Sequence, residues 1–145
     1  MIIRNRTKAK QLIDFTGLAY GSICPTDIDG FIEYKGIAYV YLEYKYKDAQ
    51  MPKGQRIALE RLVNDAMAAG KDAVLLLCSH DCPAEYDIDA ATAMVTDIYY
   101  CGKWHHEEGE TVKVWVDKFL KWSEQKHYGW LRWRTDLIQD TKTAH

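Results

Sequence analysis

The chain has 145 residues, 48% of them hydrophobic and 28% charged, which suits a globular core that needs no disulfide or metal staple. Its formal charge of −2 at pH 7 excludes a uniformly basic nucleic-acid binder, so any hold on phosphates must come from local clusters of cations. No apolar run approaches the roughly 18 residues of a membrane span, and the start, Met1-Ile2-Ile3-Arg4-Asn5-Arg6, turns basic at once, so a cytoplasmic protein with no membrane partner is expected.

Arg4, Arg6, Lys8 and Lys10 fall at every second position ahead of Leu12, Ile13 and Phe15. A first helix over Arg6–Asp14 would be basic over much of its surface, either facing phosphates or simply solvated. Phe15–Cys24, with Gly17 and Gly21, reads as a loop or as a short strand. Ile28–Tyr34 and Ile37–Lys45 are rich in Ile, Val, Tyr and Phe, and Lys35-Gly36 between them predicts a hairpin with a two-residue turn. Alternation puts Tyr39, Tyr41, Glu43 and Lys45 on one side of the second strand and Ala38, Val40, Leu42 and Tyr44 on the other, the expected core side. Asp27 and Asp29 share a face if the first strand begins that early.

Lys47–Pro52 reads as a connection, and Lys53-Gly54-Gln55 opens a helix to about Ala69 on a stripe of Ile57, Leu59, Leu62, Val63, Ala66 and Met67, with Gly70 as its stop. Ala73–Cys78 predicts a fully buried strand, parallel to 37–45 through a right-handed helical crossover. Residues 79–90 form an acidic loop without calcium-ligand spacing. Ala93–Tyr100 predicts a further strand, Gly102–Gly109 a polar loop, and Val112–Lys126 a helix whose Trp115 and Trp122 belong to the core stripe. The tail, His127 to Arg134, interleaves Tyr128, Trp130 and Trp133 with Arg132 and Arg134. That pattern either stacks bases and tracks phosphates or closes the core with two solvated arginines. With no repeat or linker, the expectation is one domain of α/β class: a mixed central sheet with flanking helices.

Asp27, Asp29, Glu43 and Lys45 carry the chemistry. One Asp and one Glu, helped by a backbone carbonyl and a substrate phosphate oxygen, suit Mg²⁺ or Mn²⁺, a hard cation that polarises a phosphoryl group. A lysine beside them fits a catalytic site, where it orients the attacking water or offsets growing charge. The bland reading of Glu-x-Lys is a solvent-facing ion pair on a strand. Against it stand the Pro-x-Asp-x-Asp-Gly run, the spacing of 14 or 16 residues to Glu43, and the helix with Gln55 that follows in order.

From about Ile23 to Cys78 the chain resembles the PD-(D/E)XK nuclease superfamily, particularly its compact phage-type members. The resemblance implies a restriction-endonuclease-like core of strand, strand, helix, strand. Asp29 or Asp27 would be the motif's first Asp, Glu43 its acidic second residue and Lys45 its Lys. Gln55 looks like the Gln that several subfamilies place in the next helix. Residues 1–13 carry no acidic side chain where many relatives have a metal-supporting Glu, and Asp14 is the only candidate there, so one ion or two stays open. The expected function is Mg²⁺-dependent hydrolysis of DNA phosphodiesters, with Asp29, Glu43 and Asp27 toward metal, Lys45 toward water, Gln55 steadying the cluster, and Arg4, Arg6, Lys8, Lys10, Arg132 and Arg134 toward DNA. The DNA's shape, endo- or exonucleolytic action, and a homo-oligomer pairing two sites are left open. Two rivals are a non-catalytic nucleic-acid module of the same fold and a zinc-stabilised interaction domain on Cys78, His80 and Cys82, although the usual C-x-x-C spacing is missing. The four cysteines are expected to be reduced.

Overall fold

The computed structural model describes residues 10–143, with side chains through Gly129. Five strands form one sheet in sequential order: β1 (Gly30–Tyr34), β2 (Ala38–Tyr46), β3 (Asp72–His80), β4 (Met94–Tyr100) and β5 (Lys103–His106). Neighbours are antiparallel except β2 and β3, which run parallel because the chain between them crosses through helix α1 (Lys53–Ala68) and not through a tight turn. A second helix, α2 (Val112–Thr143), follows β5. The mixed α/β sheet flanked by helices is therefore as expected from sequence.

Each helix covers one face of the sheet. Leu59, Val63 and Ala66 of α1 pack on Tyr41, Ala73, Leu75 and Tyr99, while Val112, Val116 and Phe119 of α2 pack on Val40, Leu42, Val74, Leu76, Val95 and Ile98. Each buried Leu or Val among these contributes about 1.5–3 kcal/mol. Beyond Phe119, α2 is tied down by polar groups: the buried Asp72 carboxylate accepts from Ser123 Oγ at 2.6 Å and Lys126 Nζ at 2.6 Å, with His127 Nε2 at 3.1 Å. Glu124 accepts from Tyr34 Oη at 3.0 Å.

Several sequence expectations are corrected. β2 has no free side: Tyr41 and Glu43 are as buried as Leu42, because α1 lies over the face read as outward. The β1–β2 loop has three residues, not two. Tyr34 pairs with Ala38, the Ile37 N–H bonds the Tyr34 carbonyl at 2.9 Å, and Lys35 and Gly36 take φ of 51° and 70°, leaving Ile37 as an extra residue. β1 begins at Gly30, so both aspartates precede it. The polar loop expected over 102–109 contains β5, entered by a Cys101-Gly102 turn with φ of 50° and 76°. That turn lacks the Asn or Asp that usually announces such geometry.

α2 continues past Lys126, so the aromatic and basic tail is helical. Gly129 inside it costs only about 1 kcal/mol relative to Ala. Trp122 is 42% exposed and not in the core. Of the expected first helix, Lys10 is in a turn and residues 11–15 are not helical. Asp14 instead accepts from the Thr16 N–H and hydroxyl at the start of a single 3₁₀ turn, Thr16–Leu18, a local bond that competes with helix. Among the described residues, no helix is long and apolar enough to cross a membrane.

Candidate functional site

The extra residue at Ile37 decides what faces Glu43. The observed register pairs Gly30 with Leu42 and Phe31 with Tyr41, and one further step sets Asp29 opposite Glu43. A two-residue turn would have set Asp29 opposite Leu42, on the other face of the hairpin. Gly30 lets the strands close here, since a Cβ at this position would stand 3.1 Å from Leu42 Cδ1. Asp29 Oδ2 then accepts the Tyr44 N–H at 2.8 Å, which anchors the carboxylate one residue beyond Glu43.

Glu43 is 2% exposed. Its Oε1 accepts from Lys45 Nζ at 2.8 Å and from Gln55 Nε2 at 2.8 Å, while Gln55 Oε1 accepts from Lys45 Nζ at 3.3 Å. The three side chains close a triangle. Gln55 stands in the first turn of α1, whose N-cap is Pro52 with no side-chain capping bond, so its amide serves the triangle and not the helix end. Burial pushes the Glu43 carboxyl above the usual carboxylate range; the Lys45 hydrogen bond pulls it down, and the Asp29 charge pushes the same way as burial.

Oε2 of Glu43 is buried with no hydrogen-bond partner. A buried carboxylate oxygen left unmatched costs free energy that a cation can return, and a second carboxylate, Asp29, is near enough to raise the Glu43 pKa. Asp29 and Glu43 therefore fit a hard divalent cation that completes its shell with backbone oxygen, water or phosphate. Asp27 is placed differently: its backbone carbonyl accepts Gln55 Nε2 at 3.4 Å, and its exposed side chain lies ahead of β1. Among the described residues, no three or more His, Cys, Asp or Glu side chains gather into a metal cage, so any ion here relies on two carboxylates.

The rival zinc residues do not gather into a cage among the described residues. Cys78 is fully buried in the α2-side core, and burial pushes its thiol up to about 12, with Asp29 and Glu43 adding to the shift. His80 Nδ1 accepts the Cys82 N–H at 3.2 Å, and Cys82 Sγ lies 3.4 Å from the Asp87 carbonyl oxygen. All four cysteines are free thiols. Of the residues expected to face DNA, Lys10 is exposed. Arg4, Arg6 and Lys8 lie outside the described residues. Arg132 and Arg134 are on α2, their side chains outside the described set.

Sequence reasoning missed what surrounds the triangle. Pairing places Glu43 beside Leu77, Leu77 beside Asp97, and Asp97 beside His106. Two hollows open along this row. One, of about 240 Å³, is lined by Lys45, Lys47, Gln50, Leu77 and Asp97 among others. The next, of about 220 Å³, shares Gln50, Leu77 and Asp97 and adds Met51, Arg56 and Trp104. Trp104 and His106 stand on β5, over a stretch whose polar composition predicts a loop, and Arg56 is visible in the sequence only as a cation following Gln55. Compared with protein-family models, curated proteins and solved structures, the chain matches none.

Proposed function

We propose that the protein is a metal-dependent nuclease of PD-(D/E)XK type that hydrolyses DNA phosphodiester bonds, with β1, β2, α1 and β3 as its restriction-endonuclease-like core. The observation that carries this reading is the divided role of Glu43: one oxygen is committed to Lys45 and Gln55, and the other is buried and unpartnered across from Asp29. Asp29 and Glu43 would hold Mg²⁺ or Mn²⁺, which when bound supplies Lewis acidity at the phosphoryl group. Lys45, 20% exposed and fixed by Glu43, orients the attacking water by hydrogen bonding and offsets charge that grows on the phosphoryl oxygens. Gln55 holds the carboxylate and the ammonium at fixed spacing, so neither must reorganise as charge develops.

The test is cleavage of labelled DNA in Mg²⁺ by the purified chain. Glu43→Ala and Lys45→Ala should each lower the rate by at least about a hundredfold with unchanged circular dichroism. Undiminished cleavage by either folded variant contradicts the assignment.

A further inference from the structure

We propose that Arg56 is a second phosphate anchor, which grips the DNA phosphate next to the one at Lys45 and leads the strand into the cleft beside Trp104. This rests on the phosphodiesterase reading of the Asp29–Glu43 site. Arg56 follows Gln55 in the first turn of α1 and is held from two sides. Its Nε donates to Glu60 Oε1 at 2.9 Å, and its guanidinium carbon stands 5.0 Å from the centroid of the Trp104 ring. Trp104 is itself tied to the same oxygen, through Nε1–H at 2.6 Å. Glu60 thus holds the guanidinium beside the indole.

Only the Nε edge of Arg56 is consumed. Among the described residues the Nη groups take no hydrogen-bond partner, the side chain is 52% exposed, and it lines a hollow together with Leu77, the strand partner of Glu43. A guanidinium immobilised before its ligand arrives, with its outer N–H fork free, matches phosphate geometry and loses little side-chain entropy on binding. Lys45 and Lys47 in the adjoining hollow continue the line of cations. Two acidic groups, Asp48 and Asp97, line the same hollows, and Asp97 is engaged by His106 Nδ1 at 3.3 Å.

The experiment measures binding of fluorescent single-stranded and duplex oligonucleotides to the full chain in Ca²⁺, as a function of salt, for wild type, Arg56→Gln and Arg56→Ala. Removing one phosphate contact should weaken binding about tenfold and reduce the slope of log K against log salt by roughly 0.7 on single strands. In Mg²⁺ the same variants should raise KM with little change in kcat. Arg56→Gln keeps the long stem and helix preference, so it retains the fold if Arg56→Ala does not. Unchanged affinity and slope in folded Arg56→Gln, with wild type binding DNA, overturn the anchor alone. Salt-sensitive binding that depends on Arg56 without any cleavage overturns the nuclease reading and keeps the anchor. No binding of either oligonucleotide by wild type removes both.

Discussion

A carboxylate as buried as Glu43, with one oxygen unmatched, destabilises the fold that holds it by roughly 1–3 kcal/mol. Stability given up at a side chain is a common cost of a functional site, which fits a residue held for an ion. Glu43→Gln should accordingly raise the melting midpoint measured in chelator, by about 2–4 °C for each kcal/mol recovered, while it abolishes cleavage. A lowered midpoint would mark Glu43 as a structural partner of Lys45 and nothing more. The triangle itself was partly legible in the sequence, because residue type and alternation put Glu43 and Lys45 on one face and Gln55 in the next helical turn. Asp29 is favoured over Asp27 by its place directly before Gly30 and the strand that pairs with β2, but its register opposite Glu43 was not legible, since that depends on Ile37 standing outside the ladder, and a two-residue turn at Lys35-Gly36 is the simpler reading of the same letters.

The elements form for reasons written locally, and they dock for reasons that are not. The apolar stripe of α1, with Gly70 at φ 90° and its N–H on the Met67 carbonyl as the stop, fixed that helix within a residue of its observed end. β3 was legible as a buried run, though shorter than its nine residues, since Ser79 and His80 extend it by pairing with β2 and not by hydrophobicity. Nothing local announced that Asp72 would hold α2. Burial alone would raise the Asp72 carboxyl, but hydrogen bonds from Lys126 and Ser123, and the charges of Lys126 and His127, outweigh it and hold the group below the usual range. A carboxyl whose folded pKa is depressed stabilises the protein above its ordinary value of 3.8, and that contribution is lost as pH falls through the lower folded value. Asp72→Asn should therefore cost about 2 kcal/mol in neutral denaturant melts, with the deficit shrinking below about pH 4 as the wild type loses the same contribution. A deficit independent of pH would show that the ion pairs contribute nothing.

At the scale of the whole molecule, the parallel pair β2–β3 and the start of α1 bring the site together. Glu43 and Lys45 lie in the last half of β2, Leu77 beside them in β3, and the first turn of α1 carries Gln55 and Arg56 to the same end of the sheet. The carboxyl ends of parallel strands are where open α/β sheets place ligands. A formal charge of −2 is compatible with DNA at this end because Lys45, Lys47 and Arg56 outnumber Asp48 and Asp97 along the two hollows there, whatever the balance elsewhere. The most direct measurement is anomalous diffraction from crystals soaked in Mn²⁺. The account predicts one manganese peak within bonding distance of Glu43 Oε2 and an Asp29 oxygen, lost in Glu43→Gln crystals. Density without a peak at these carboxylates, or an ion held instead by Asp27 or by His80 and Cys82, would contradict it.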